Sequence, residues 1–220
     1  MNNKCQLPSS NCEDFTNLED LAIDLGKLEK ASVLPDFTEY ETYLDLNERI
    51  LYLDFDINDA LVDYSRRIIR WNRQDRDIPV EERKPIKLLI NSYGGSLDSC
   101  LHFIDTLLLS KTPVYTCNVG VAMSAGFYIM LAGSKRFAYP NAQFLIHSGS
   151  GGAAGTYEQS KSQMEHYTRC IELLKKYVLE RTTIPEKTYN KKRSTEWFIW
   201  AKDAIDMGII DGLITSLDEI

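Results

Sequence analysis

The feature that most constrains this chain is a recurring pair: a short apolar run, then residues at helical spacing. Over residues 49–54, Ile50 and Tyr52 alternate with Leu51 and Leu53, which predicts a strand buried on both faces. Ile57, Leu61, Tyr64, Ile68 and Trp71 follow at helical spacing. Residues 86–91 are the next apolar strand, closed by Tyr93-Gly94-Gly95 and followed by a helix over 97–109. A strand over 113–119 precedes a short apolar helix over 124–131, and short strands are expected over 137–139 and 144–147. A glycine-rich loop at 149–155 leads into a long helix over 156–181, and a last helix covers 201–207. Strand and helix in regular alternation predict an α/β fold with parallel pairing and right-handed crossovers.

The 220 residues suit a main domain over 47–220 preceded by an extension, residues 1–46. Ten acids and three bases fall within 1–46. The extension therefore accounts for the whole formal charge of −7, and 47–220 balances 22 acids against 22 bases. With no basic surface, a nucleic-acid partner is not expected. Within the extension, Leu18, Leu21, Ala22, Leu25 and Leu28 would share one face of a helix that Pro35 stops; a mobile acidic tail is the alternative. No stretch is apolar for long enough to span a bilayer, and Met1-Asn2-Asn3-Lys4-Cys5-Gln6 has no secretory pattern, so a cytoplasmic location is expected. The five cysteines are odd in number and lack metal-type spacing. Cys100 and Cys117 sit in apolar runs, where a thiol packs as a small hydrophobe.

Three segments carry chemistry. Gly120-Val121-Ala122-Met123-Ser124-Ala125-Gly126 joins a strand to a helix and puts Ser124 at the helix start. There a serine can attack a carbonyl while the Ala125 N–H receives the oxyanion, although most serines at helix starts are only caps. Ile90-Asn91-Ser92-Tyr93-Gly94-Gly95 ends a strand on two glycines whose N–H groups can supply a second donor, or can form a plain turn. His147 ends an apolar strand and can reach a cleft as a base, or simply be hydrogen-bonded in place. His102 and His166 fall within helices and read as structural or surface residues.

Taken together, these segments resemble the Clp protease proteolytic subunit, the ClpP family, over roughly residues 47–215. Ile90 to Gly95, Val119 to Gly126, Lys135-Arg136-Phe137, Pro140-Asn141 and Ile146-His147 stand in the family's order. Gly95 lies 29 residues before Ser124, and Ser124 lies 23 before His147. The resemblance implies the ClpP/crotonase-like spiral of ββα units with a protruding helical handle, matched by 156–181. It implies Ser124 as nucleophile, His147 as general base, and the Gly95 and Ala125 N–H groups as oxyanion hole. The third triad member would be Glu196, where the family has aspartate, just ahead of Trp197-Phe198-Ile199-Trp200-Ala201. Tyr93 replaces a family proline, Gly149 stands where a proline commonly follows the histidine, and Ser194 and Thr195 occupy a frequent charged pair.

The implied activity is serine-type hydrolysis of peptides or unfolded proteins, with no metal or organic cofactor. The implied assembly is a homo-oligomer of heptameric rings stacked in pairs, in which Ile171, Val178 and Leu179 of the handle would be covered. An ATPase unfoldase is the family's partner, but residues 1–46 do not match the axial-pore loop it uses. Other readings are a non-catalytic ring scaffold of the same fold and a virus-type capsid-maturation peptidase. A crotonase-type acyl-CoA enzyme would not need this serine and histidine spacing. A signal-peptide peptidase would need a serine–lysine pair and an anchor.

Overall fold

The structure is a computed structural model describing residues 37–150 and 152–219. The helix expected over 18–28 lies outside the described residues. Leu44–Ile220 forms a compact unit. Helix α1, Phe37–Asn47, has no buried residue.

Seven strands form one sheet. They are β1 (Ile50–Leu53), β2 (Ile86–Ser92), β3 (Val114–Met123), β4 (Lys135–Ala138), β5 (Gln143–Ile146), β6 (Trp197–Trp200) and β7 (Gly212–Leu213). The main path runs β1-β2-β3-β4-β7, all parallel, and β5 and β6 branch from β3. The helices are α2 (Leu61–Gln74), α3 (Leu97–Leu109), α4 (Ala125–Leu131), α5 (Tyr157–Arg181), α6 (Glu186–Lys192) and α7 (Ala201–Asp206). This is the mostly parallel α/β fold of the ClpP type, with α5 as handle.

Strand β3 organises the sheet. Its first half, Tyr115 to Asn118, pairs with β4, and its second half, Val121 to Met123, pairs with β5. The fork falls at Val119-Gly120, where two asparagines replace missing ladder bonds. Asn118 Nδ2 donates to the Gln143 carbonyl at 2.8 Å, and its Oδ1 accepts from the Gly120 N–H at 3.1 Å. Asn91 Oδ1 accepts from the Val121 N–H at 3.2 Å. A Cβ on Gly120 would lie 2.5 Å from that same Oδ1, so glycine is needed where Asn91 closes in. Asn118 is fully buried, and these bonds satisfy its amide.

The core lies between the sheet and helices α2 to α5, with Leu53, Ile68, Leu88, Phe103, Phe127 and Phe144 among its buried side chains. Two expectations need correction. Strand β1 is not buried on both faces: Leu51 and Leu53 share the buried face, while Tyr52 on the other is 44% exposed. In the handle, Val178 is fully buried in the subunit's own core and is not left for a partner to cover, while Leu179 is partly buried against that core. The large apolar residues that α5 exposes are Tyr157, Met164 and Leu173. No helix among the described residues is long and apolar enough to cross a membrane.

Candidate active site

Strands β2, β3 and β5 are parallel neighbours, so their C-terminal ends leave the sheet on one side. Open α/β sheets bind ligands at that edge. Met123 pairs with Leu145, and the Ser124 N–H donates to the Leu145 carbonyl at 3.0 Å. Register thus brings Ser124, one residue past β3, beside His147, one residue past β5. The His147 Nε2 to Ser124 Oγ distance is 2.7 Å. With the ring proton on Nδ1, Nε2 accepts from the serine hydroxyl. Both residues are half-buried.

Ser124 has φ +52° and ψ −120°, a conformation costly for a residue with a Cβ. Its carbonyl accepts the Phe127 N–H at 3.0 Å, which holds the turn into α4. The strained backbone presents the hydroxyl at the sheet edge.

The Gly94-Gly95 turn lies against this corner. A Cβ on Gly94 would stand 2.7 Å from Ser124 Cβ and 3.1 Å from the Ala125 nitrogen. Gly94 has φ +108° and Gly95 φ +146°. Ile57 pins the turn from the far side: its N–H donates to the Gly94 carbonyl at 2.7 Å, and its carbonyl accepts the Ser96 N–H at 2.7 Å. Ile57, read as part of the following helix, is therefore a bridge residue ahead of α2. The N–H groups of Gly95 and Ala125 make no hydrogen bond to any described residue. A cleft of about 280 Å3 opens over Ser124 and His147, with Leu97, Tyr128, Tyr167 and Ile171 in its wall. A larger groove of about 550 Å3 between α2 and α3 shares no lining residue with it.

The structure does not bring Glu196 to His147. Its side chain is exposed and makes no hydrogen bond or ion pair to any described residue. Continued by one pair, the β5–β6 ladder would set 196 opposite 147, but it ends at Ile146–Trp197. The chain before β6 turns through Thr195 N–H to the Lys192 carbonyl at 3.1 Å, and it is the Arg193 carbonyl that meets the turn, accepting from Ser148 Oγ at 2.8 Å.

The residues under that turn were missed in the sequence. Tyr128 lies one helical turn after Ser124, and Tyr167 shares a face of α5 with Ile171 and Leu174; that spacing was the available signal. Burial pushes the Tyr128 phenol well above its usual range, and it stays a neutral donor. Behind α4, the Cys100 thiol donates to the Ala125 carbonyl at 3.3 Å and is pushed up by burial. Among the described residues, no three His, Cys, Asp or Glu side chains cluster to hold a metal.

The family model for the Clp protease matches residues 40–217. The chain belongs to the Clp protease family. A Clp protease subunit is a peptidase component, and the corner where β2, β3 and β5 end is where this chain brings Ser124 and His147 together.

Proposed function

We propose that this chain is a serine endopeptidase that hydrolyses peptide bonds through an acyl-enzyme on Ser124. The observation that carries the reading is the 2.7 Å contact between Ser124 Oγ and His147 Nε2, made at a strained serine beside two N–H groups with no hydrogen bond to any described residue. Ser124 Oγ attacks the scissile carbonyl while His147 Nε2 takes its proton. The Gly95 and Ala125 N–H groups hold the oxyanion, and one such donor is worth about 100- to 1000-fold in rate. The intermediate collapses to an ester on Ser124, and His147 returns the proton to the leaving amine. Water, deprotonated by His147, then releases the acid.

Family membership supports the rest of the reading: a homo-oligomer of stacked rings, heptameric by resemblance, that encloses the cleft and admits peptides or unfolded chains. The exposed Met164 and Leu173 of α5 are the apolar residues such stacking would cover. Ser124→Ala should abolish peptide hydrolysis while the native mass of the assembly is unchanged. Hydrolysis retained at the parent rate would reject this site.

A second reading, a ring subunit without turnover, is favoured by one observation: no carboxylate among the described residues hydrogen-bonds His147. It predicts rings of normal mass with no hydrolysis in the parent protein.

A further inference from the structure

His147 is held mainly through the backbone that follows it. The Tyr167 hydroxyl, from α5, donates to the Ser148 carbonyl at 3.0 Å. Ser148 Oγ donates to the Arg193 carbonyl at 2.8 Å, just past α6. The Tyr128 hydroxyl makes a longer contact, 3.5 Å, with the His147 carbonyl. Gly149 has φ +80°, and a Cβ there would lie 2.5 Å from the Tyr167 oxygen, so glycine lets the phenol reach the turn. Arg193 is itself anchored. Its guanidinium lies 5.7 Å from the Tyr189 ring centroid and 3.5 Å from Glu172 of α5. Two helices outside the sheet thus grip the residues after the histidine.

We propose that Tyr167 and Ser148 are positioning residues for His147: the Tyr167 hydroxyl and the Arg193 carbonyl clamp residues 147–149 so that Nε2 stays on Ser124 Oγ. The proposal rests on the reading of Ser124 and His147 as nucleophile and base. The clamp supplies geometry where a carboxylate would supply geometry and charge. Misplacing a reacting group by about 1 Å costs about a hundredfold in rate, and loosening one anchor of two should cost about tenfold.

Three variants test it. Tyr167→Phe keeps the ring in the cleft wall and loses the hydroxyl, Ser148→Ala loses the Oγ, and Ser148→Thr keeps one. Phosphonylation of Ser124 by a small fluorophosphonate should slow about tenfold in the first two and return to within about twofold of the parent in the third. Peptide hydrolysis should lose kcat with KM little changed. Structures of Tyr167→Phe and Ser148→Ala should show the Nε2–Oγ distance opened beyond hydrogen-bond reach. Parent rates with an unmoved imidazole in both variants would overturn the clamp. If the reagent leaves the parent protein unmodified, the nucleophile reading fails instead, and the distance alone judges the clamp: opened, it stands; unchanged, it falls.

Discussion

At the residue scale, the corner depends on atoms that are absent as much as on those present. Gly94 sits where any Cβ would fall 2.7 Å from that of Ser124, at a φ that side chains avoid. Gly94→Ala should therefore cut phosphonylation of Ser124 by at least about a hundredfold and lower the melting temperature, both read on one purified sample. Ser124 and His147 stand at or just past the ends of apolar runs in the sequence, and the structure sets their side chains in contact. Parallel register then does the rest, since Met123 opposite Leu145 brings the two side chains together. Glu196, which the resemblance offers as third triad member, is exposed in the structure. The β5–β6 ladder ends at Ile146–Trp197, and the chain just before it is a turn at 193–195. Glu196→Gln should leave kcat within about twofold of the parent in a peptide-hydrolysis assay.

At the element scale, the sequence showed most strands and helices but blurred those whose bonds are supplied from elsewhere. Strand β3 was expected to stop at 119, because Gly120 and the small residues after it look like a loop; β5 and the Asn91 and Asn118 amides keep it extended to Met123. Helix α6 and strand β6 went unread, the first because EKTYNKK has no apolar stripe, the second because it is a four-residue edge. The long handle was legible from its N-terminus onward. Thr156 accepts from the Gln159 N–H at 3.3 Å, and Gln159 Oε1 accepts from the Thr156 N–H at 3.0 Å, closing a capping box. Thr156→Ala should destabilise α5 by about 1 kcal/mol. Hydrogen exchange at the first turn of α5 should quicken accordingly, while exchange in β2 stays unchanged.

At the scale of the whole molecule, one buried ion pair fastens the edge of the sheet. Arg49 has φ +61°, and its guanidinium forks onto both oxygens of Asp75 at 2.6 Å, with Thr112 Oγ1 donating to the same carboxylate at 2.7 Å. The Arg49 guanidinium, with the Thr112 hydroxyl, holds the Asp75 carboxyl below its usual range despite burial. A depressed folded-state pKa stabilises above the unfolded value of about 3.9 and is lost as pH falls through the folded one. Asp75→Asn should cost about 3 kcal/mol at neutral pH, since it leaves a buried guanidinium unpaired. The melting-temperature gap between parent and variant should narrow below about pH 4; a gap constant from pH 7 to 3 would contradict the assignment. The parallel α/β architecture itself was plain from the alternation of apolar runs and helical spacings. What the alternation does not encode is the branching of the sheet at β3, which is a property of three strands at once.

If Ser124 is an activated nucleophile, a fluorophosphonate should label it, and the intact mass of the exposed protein reads that label. The parent protein should carry a single adduct and Ser124→Ala none. A parent protein that stays unmodified, or an adduct that persists in Ser124→Ala, would contradict it.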